Sequence, residues 1–390
     1  MTTSHETHAV VVGAGIAGLL AARVLSDHVD RITIVERTRA DDATGAAPSE
    51  DGRWPACRLA PTTLAMLEAR VPGIAGDLLR AGAVPLASDE RAAHAQRSPG
   101  GMALGASHRL VRNAVRRRVL HERDRISILD GIEATGVTVG LGGVREVRLD
   151  GGALEAGLVV DASGTSASML GSATDGDALA SSIPLGMEYR TRLFARDGDA
   201  PARGEIVEDR ERGRRCAVLT PIEGARWALT LGAWRLDDAP ATQTEIVDAL
   251  IGLGAFNLAE LASTHPVRSS IGRHRLDRTV LRRPHLDRRL PPGLIVVGDA
   301  LCTGDPVRSP GAPSAITHAH LLSTALAMLP PGAPELASTY HGWVARPAAS
   351  WWRGASGADA VVARPRGPLP RRVTRSLRRA EAASAARGRR

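Results

Sequence analysis

The chain has 390 residues, 43% of them hydrophobic and 24% charged, a length that allows two domains with a substantial core. No uninterrupted apolar stretch is long enough to span a bilayer, and glycines break the first apolar run, so neither an integral membrane segment nor a signal peptide is predicted. Three widely separated cysteines without metal-ligand spacing predict a reducing cytoplasm and no metal site: Cys57, Cys216 and Cys302.

The positive charge, formally +8 at pH 7, is concentrated at the C-terminal end. Every basic residue is Arg, and residues 353–390 hold 11 Arg against 2 acidic residues, which leaves 39 Arg against 40 acidic residues elsewhere. Because this end lacks the aromatic residues of a base-stacking surface, no nucleic-acid partner is predicted. Residues 357–390 are predicted to form a disordered basic tail, with attachment to acidic lipid or a partner as the weaker alternative.

The first predicted elements are a strand, a glycine turn, a helix and a second strand between residues 9 and 37. Three glycines follow the first strand with G-x-G-x-x-G spacing: Gly13, Gly15 and Gly18. The first allows a tight turn, the second lets a pyrophosphate approach the backbone, and the third lets the helix pack closely on the strand. Glu36 ends the second strand, where a carboxylate binds a ribose hydroxyl, and Arg37 can pair with phosphate or cover the adenine side. Dinucleotide binding is predicted; glycines with only a structural role are the alternative.

Periodicity predicts further elements up to residue 180. Helices are expected at 61–69 and 107–120, and a short helix followed by a strand is expected at 75–87. Residues 88–105 are polar and are expected to leave the body as an excursion between domains. Strands at 125–129, 136–139 and 144–149 are expected to form a small antiparallel meander. A buried strand at 158–160 leads into a second glycine turn, Asp161-Ala162-Ser163-Gly164.

The composition changes between residues 183 and 256, where long antiparallel strands are predicted at 184–194, 215–220 and 226–234. A helix is expected at 244–253 and another strand at 267–274. The region contains five of the ten aromatic residues: Tyr189, Phe194, Trp227, Trp234 and Phe256. Concentrated aromatics suit the wall of a ligand pocket and the core of a sheet equally well, so both interpretations stay open.

A second informative stretch runs from residue 293 to 329, where a buried strand ends in Gly298-Asp299 and a proline-rich loop leads to a helix from about residue 314. Such a late acidic residue is unexpected in a simple nicotinamide dehydrogenase. It is expected when the cofactor is FAD, because FAD extends past the first glycine turn and Asp299 can take a ribityl or ribose hydroxyl. A last helix is predicted around 334–343.

These motifs together resemble FAD-dependent monooxygenases of the para-hydroxybenzoate hydroxylase class. Three segments are most similar to bacterial FAD-dependent epoxidases that act on polyenes in polyether biosynthesis: YRTRLF at 189–194, VLTPIEGARWALTLGAW at 218–234 and VVGDALCTGDPV at 296–307. The resemblance covers about residues 9–350 and implies an α/β fold, a glutathione-reductase-type FAD-binding Rossmann domain with an antiparallel β-sheet substrate domain. It also implies transfer of one oxygen atom from a flavin C4a-hydroperoxide to a hydrophobic polyketide-like substrate, by epoxidation or hydroxylation.

Carried over by residue, the resemblance implies a cofactor-binding set: Gly13, Gly15, Gly18, Glu36, Arg37, Arg109, Asp299, Pro306 and Gly311. Arg109 matches the arginine of an R-x-x-L helix motif, with a solvated helix face as the alternative. A substrate pocket is expected to include Tyr189, Arg190, Trp227, Trp234 and Arg308. Epoxidation requires no acid–base pair, so no catalytic residue is assigned. The electron donor is expected to be NADPH or NADH, or a partner flavin reductase.

The loop after Gly298-Asp299 departs from the family pattern N-P-x-x-G-x-G-M, since it reads DPVRSPGAP at 305–313. Its prolines cannot donate backbone hydrogen bonds toward a flavin, although Arg308 can compensate. The relatives' Q-x-x-H-x-H segment is likewise replaced by RWPACR at 53–58. Oxygen activation is therefore less firmly predicted than FAD binding, and a cyclase or isomerase without redox work is the first alternative.

A geranylgeranyl-reductase-type flavin reductase is the second alternative, because it shares the fold. Flavin halogenation is disfavoured, because flavin halogenases rely on a lysine beside the flavin and this chain contains no lysine. The predicted division of the chain assigns residues 1–87, 106–180 and 285–330 to the FAD-binding domain and 181–284 to the substrate domain. Residues 88–105 are the excursion, 331–356 a C-terminal helical segment and 357–390 the tail.

Overall fold

A computed structural model describes residues 7–39, 56–86, 102–121, 124–174, 179–197, 204–208, 215–235, 239–305, 307 and 311–362. Its strands in chain order are β1 (His8–Val12), β2 (Arg31–Glu36), β3 (Cys57–Leu59), β4 (Val84–Leu86), β5 (Ala103–Ala106), β6 (Ile126–Asp130), β7 (Ala134–Gly140), β8 (Gly143–Leu149), β9 (Gly152–Glu155), β10 (Leu158–Asp161), β11 (Ser181–Ala195), β12 (Glu205–Glu208), β13 (Cys216–Ile222), β14 (Arg226–Arg235), β15 (Gly272–Leu281), β16 (Leu294–Val296) and β17 (Cys302–Thr303). Its helices are α1 (Ile16–Leu25), α2 (Pro61–Arg70), α3 (Ile74–Arg80), α4 (His108–His121), α5 (Ser168–Ala173), α6 (Gln243–Gly252), α7 (Phe256–Thr264), α8 (Gly311–Met328) and α9 (Leu336–Val362).

A parallel sheet of five strands, in the order β16-β10-β1-β2-β6, forms the centre of the first domain. Strands β1, β2, β10 and β16 are almost wholly buried apolar runs, as expected for a parallel sheet covered on both faces, whereas β6 at the edge is only partly buried. Helix α1 packs against α4 on one side and α8 on the other. Because the strands are parallel, the ends of β1, β2, β10 and β16 that carry the sequence motifs meet at one edge of the sheet.

The second domain is built on an antiparallel sheet of six strands, in the order β12-β13-β14-β11-β15-β17. Helices α6 and α7 cover one face of this sheet and bury a separate apolar core between Phe194, Leu229 and Leu250. A capping box between Thr242 and Glu245 begins α6, because each residue binds the backbone N–H of the other. The two-domain α/β expectation is confirmed by this architecture.

Two predicted strands lie elsewhere than expected. The strand expected at 125–129 is β6, which pairs in parallel with β2 at the edge of the central sheet, so the meander consists of β7, β8 and β9 instead. The strand expected at 267–274 has the wrong bounds, because β15 occupies Gly272–Leu281. Val267 forms only an isolated bridge to Phe194. Alternation alone does not identify the partner of a strand or its ends.

Two segment boundaries also require correction. The excursion predicted at 88–105 ends in β5, which pairs with β3 and β4 in a small three-stranded sheet, while residues 87–101 lie outside the described residues. The predicted tail at 357–390 begins too early, because α9 continues to Val362 and accommodates Pro347 within it. Residues 363–390 lie outside the described part of the chain.

Candidate functional site

The glycine turn between β1 and α1 has the geometry of a pyrophosphate site. Gly13 adopts a left-handed conformation with φ +107°, and a Cβ there would lie 2.4 Å from the carbonyl oxygen of Ala162. A Cβ on Gly18 would lie even closer to the Gly13 carbonyl oxygen, so both positions require glycine. The Cβ position of Gly15 instead faces open space, and no side chain caps the helix that begins after it. The first backbone N–H groups of α1 can therefore bind an anion there.

Glu36 at the end of β2 turns back toward this glycine turn. Its Oε2 accepts a hydrogen bond of 2.7 Å from the Ala14 N–H, and its Oε1 accepts one of 2.9 Å from the Thr38 N–H. These bonds fix the carboxylate beside the turn, and each oxygen keeps a second lone pair for a ribose hydroxyl. Arg37 follows on the exposed surface.

The two later motifs reach the same edge of the sheet. Ala162, after β10, lies directly against Gly13, and Gly298, after β16, lies so close to α1 that its Cβ would be 2.7 Å from Ala17 Cβ. Asp161 is fully buried and accepts hydrogen bonds from the backbone and hydroxyl of Ser163 and from the Leu170 N–H. This carboxylate holds the second glycine turn rather than facing a ligand.

Asp299 is exposed to solvent, although many protein atoms surround its carboxyl group. The protein packed around it raises the pKa of its carboxyl from 3.8 to about 6 by burial alone. An accessible carboxylate beside the glycine turn suits a cofactor hydroxyl, which would provide the hydrogen bond that offsets its lost hydration. The residues present at this edge therefore fit the adenosine and sugar parts of FAD.

The start of α4 joins the two domains. Ser107 is buried; its hydroxyl caps the Leu110 N–H, and its own N–H and hydroxyl donate to the Glu223 carboxylate at 3.0 and 2.5 Å. Glu223 belongs to the turn between β13 and β14 in the substrate domain. His108 comes next, and burial, then Arg112 and His274, lower its pKa to about 4. Arg109 is half-buried in the same first turn of α4.

The loop predicted to border the flavin is described only in part. Pro306 and Arg308 lie outside the described residues. Gly311 is the exposed first residue of α8, so the helix begins three residues earlier than predicted, and Pro313 falls in its first turn, where a missing N–H is tolerated. Val307, described on its own, packs against the buried cluster of Met187, Tyr189 and Leu276. Val307 therefore lies against the substrate sheet.

Comparisons with known proteins agree with this arrangement. No protein-family model matches the chain. Protein Rv3254 of Mycobacterium tuberculosis is 27% identical over an alignment that covers 90% of this chain and 84% of that protein. PqsL of Pseudomonas aeruginosa, described as a probable FAD-dependent monooxygenase, superposes with a TM-score of 0.66 at 19% identity over 91% of this chain and 97% of PqsL.

Two further solved structures superpose similarly well. The p-nitrophenol 4-monooxygenase PnpA of Pseudomonas putida gives a TM-score of 0.68 at 19% identity, covering 97% of this chain and 94% of PnpA. The flavin-dependent brominase Bmp2 gives 0.64 at 15% identity over 87% and 84% of the two chains. The chain has the fold of FAD-dependent monooxygenases. The fold class predicted from sequence is confirmed, while the epoxidase branch of the resemblance stays a prediction.

The face of the substrate sheet on which Val307 packs includes Tyr189. Its ring is fully buried beside Cys216 and over Gly232, where a Cβ would lie 2.8 Å from both side chains, and its centroid is 6.0 Å from that of His274. Next to it, the hydroxyls of Thr191 and Thr230 share a hydrogen bond of 2.9 Å. This face is more polar than the aromatic wall that the sequence suggested.

Two other candidates for the substrate pocket lie on the opposite face. Trp227 is in the core beneath α6 and α7. The guanidinium of Arg196 lies 5.8 Å from the centroid of its ring. Arg190 is buried and forms an ion pair of 3.2 Å with Glu188, which also accepts from Arg273. Arg190 lies within electrostatic range of Glu245 at the start of α6, and Trp227 belongs to the core that α6 and α7 cover, so both residues lie on the helix-covered face, away from Tyr189. The side chain of Trp234 lies outside the described residues.

Several residues that shape the site were missed by the sequence reasoning. Arg282 is buried and donates to the carbonyl oxygens of Ala300 and Thr165 at 3.0 and 3.1 Å, so it ties β15 to both late turns. His341 accepts a hydrogen bond from the backbone of β16, and His318 accepts one from the Gly298 N–H. All of these contacts join segments far apart in the sequence, and no local pattern marks them. In the described part of the chain, no helix is long and apolar enough to cross a membrane.

Proposed function

We propose that this protein binds FAD and works as a flavin-dependent monooxygenase. The observation that carries the proposal is the convergence of three motifs, Gly13 to Gly18 with Glu36, Ala162 and Gly298-Asp299, at one edge of the parallel sheet. The open Cβ position of Gly15 and the uncapped start of α1 leave room for the pyrophosphate. The fold shared with PqsL and PnpA is further support.

In the proposed reaction, bound flavin supplies the oxygen and electron chemistry. One oxygen atom of O2 enters the substrate and the other leaves as water, with NADPH, NADH or a partner flavin reductase as the source of electrons. The chain's own residues bind and orient: Glu36 takes the adenosine ribose, Asp299 a further cofactor hydroxyl, and the α1 N-terminus the pyrophosphate. Val307 packs against the buried cluster of Met187, Tyr189 and Leu276, and this apolar contact would help to exclude water from the substrate side of the site.

We further propose that the substrate is a hydrophobic polyketide-like natural product that is epoxidised or hydroxylated. The three sequence segments that resemble those of polyene epoxidases support this narrower proposal. The polar groups around Tyr189 refine it, because the threonine hydroxyls and the imidazoles of His108 and His274 favour a substrate that already carries oxygen functions. A ligand with hydrogen-bonding groups would satisfy this face better than a bare hydrocarbon.

A purified sample tests the proposal in two steps. FAD should bind to the apoprotein and give a yellow holoprotein with the absorption bands of an oxidised flavin. Reduced nicotinamide, with or without a flavin reductase, should then drive oxygen-dependent turnover of oxygenated polyene or polyketide candidates, with one oxygen atom from labelled O2 in the product. A colourless protein that never retains FAD would refute the flavoprotein proposal.

A cyclase or isomerase is the second candidate, favoured by the unusual DPVRSPGAP segment at 305–313. Product mass separates the two functions, because oxygenation adds one oxygen atom and cyclisation leaves the mass unchanged. A geranylgeranyl-reductase-type activity would instead add two hydrogen atoms to the substrate.

A further inference from the structure

The outer edge of β16, which leads into Gly298-Asp299, has no neighbouring strand in the described part of the sheet. Toward the inside, the Val297 N–H donates to the Asp161 carbonyl oxygen at 2.9 Å, which extends the pairing with β10. Backbone groups alternate in direction along a strand, so the N–H groups of Val296 and Gly298 point away from β10. Both residues are buried, and a buried N–H requires a partner.

Two imidazoles from different helices provide these partners. His341 of α9 accepts the Val296 N–H at Nε2 over 3.0 Å, and His318 of α8 accepts the Gly298 N–H at Nδ1 over 2.8 Å. The Tyr340 hydroxyl donates to the Val296 carbonyl oxygen over 3.3 Å. These three side chains, all fully buried, therefore take the place of a sixth strand along β16.

An imidazole nitrogen accepts a hydrogen bond only when it carries no proton, so both histidines must be neutral. Burial lowers the pKa of His318 to about 3 and that of His341 to about 3, which keeps them neutral. The proton of His318 is then on Nε2, which is buried and has no hydrogen-bond partner among the described residues. An apolar side chain would avoid this cost, so the accepting Nδ1 is the feature of His318 that the fold uses.

Gly298 directly precedes Asp299, and its N–H is fixed by the hydrogen bond to His318. It has a left-handed φ of +61° and packs against Ala17 of α1, so a small rotation here would redirect Asp299 relative to the glycine turn. The hydrogen bond to His318 opposes such a rotation, together with the bond of 3.0 Å from the Leu301 N–H to the Gly298 carbonyl oxygen. His341 acts two residues earlier, on the strand itself.

We propose that His318 is a positioning residue for the cofactor: through Gly298 it holds Asp299 in the orientation that binds a hydroxyl of FAD, while His341 anchors the strand before it. This inference rests on the proposed function in one respect, that the ligand at this edge is FAD. It assigns no contact between either histidine and the cofactor.

The test measures FAD affinity by titrating apoprotein variants and following the quenching of flavin fluorescence. His318→Leu removes the acceptor. His318→Asn restores an acceptor, because the Asn oxygen is the same number of bonds from Cα as Nδ1, whereas His318→Gln places its oxygen one bond farther out. We expect His318→Leu to bind FAD about tenfold more weakly or worse, His318→Asn to stay within about threefold of the unmodified protein, and His318→Gln to fall between them.

Two controls separate positioning from general loss of stability. Leu250→Ala opens a cavity in the separate core beneath α6, so it should lower the melting temperature without changing FAD affinity. His320→Asn, on the exposed side of α8, removes a histidine without touching Gly298 and should bind FAD normally. His341→Leu should lower the melting temperature clearly while changing FAD affinity less than His318→Leu does. His341→Gln places an oxygen near the position of Nε2, so it should restore the melting temperature better than His341→Asn.

The outcomes are distinct. If the unmodified protein does not bind FAD, the proposed function fails and this inference fails with it. If the unmodified protein binds FAD and His318→Leu binds it equally well, the inference alone is overturned. If His318→Leu does not fold, equal FAD affinities of His318→Asn and His318→Gln would overturn the inference, and a clear advantage of His318→Asn would support it.

Discussion

The adenosine end and the flavin end of the candidate site are built in different ways. The adenosine end is formed mainly by the contiguous stretch from Gly13 to Glu36, in which Gly18 lies against Gly13 and Glu36 accepts from Ala14, and Ala162 from β10 completes the turn. The flavin end is assembled from the start of α4, the face of β11 that carries Tyr189, and the loop after Asp299, which are far apart in the sequence. Local sequence therefore determines the first end, and tertiary packing determines the second.

The largest expected effect tests the adenosine end. Gly18→Val would place its side chain against the Gly13 carbonyl oxygen, where nothing can move without opening the turn, so we expect loss of both FAD binding and folded protein. Gly15→Ala places a methyl group in open space, so the melting temperature should be unchanged while FAD binds more weakly. Circular dichroism and FAD titration of the two variants measure this contrast, and a stable, FAD-binding Gly18→Val protein would contradict it.

The same comparison explains how much of the site could be predicted from sequence. The turn and Glu36 were predictable because glycine spacing and strand ends are local signals. The face occupied by Trp227 was not, since an aromatic residue on a strand gives the same pattern on either face, and the helix α7 that covers it was not predicted. His318 was not predictable because its partner, Gly298, belongs to another element.

The second prediction concerns the two faces of the substrate sheet. Trp227→Ala should destabilise the protein by about 3–5 kcal/mol, because it empties the core beneath α6 and α7, yet leave FAD affinity unchanged. Phe256→Ala is the matched control, since this aromatic side chain is 66% exposed and its loss should have little effect on stability. Chemical denaturation followed by far-ultraviolet circular dichroism measures the stability of both variants. A Trp227→Ala protein with normal stability and altered substrate selectivity would return Trp227 to the pocket.

The third prediction concerns acid. His318 and His341 have folded-state pKa values of about 3 against an ordinary 6.5, so the unfolded chain binds protons that the folded chain does not. Their contribution to the free energy of unfolding is present above pH 6.5 and is lost as the pH falls toward 3. Each histidine should contribute a slope of about 1.4 kcal/mol per pH unit across that window.

Urea denaturation between pH 7 and 4.5 measures this slope. The groups that contribute to the field at His341 are His285 and His318, and His285 itself has a pKa lowered by burial and by Arg283. The double variant His318→Asn, His341→Gln keeps the acceptors but cannot be protonated, so its stability should fall less steeply with acid. An identical pH dependence in the double variant would exclude the two histidines as the cause.

The smallest expected effect concerns Asp299, whose carboxylate should lower the stability of the folded apoprotein. Its pKa, raised from 3.8 to about 6, means that the folded apoprotein resists ionisation of this carboxyl, so the group lowers stability increasingly as the pH rises from 3.8 to 6. Asp299→Asn should therefore raise the melting temperature of the apoprotein slightly at pH 8 but not at pH 4, while it weakens FAD binding. Melting curves at the two pH values, with and without FAD, measure both effects. A variant that is less stable at pH 8 would show that Asp299 serves the fold instead of the cofactor.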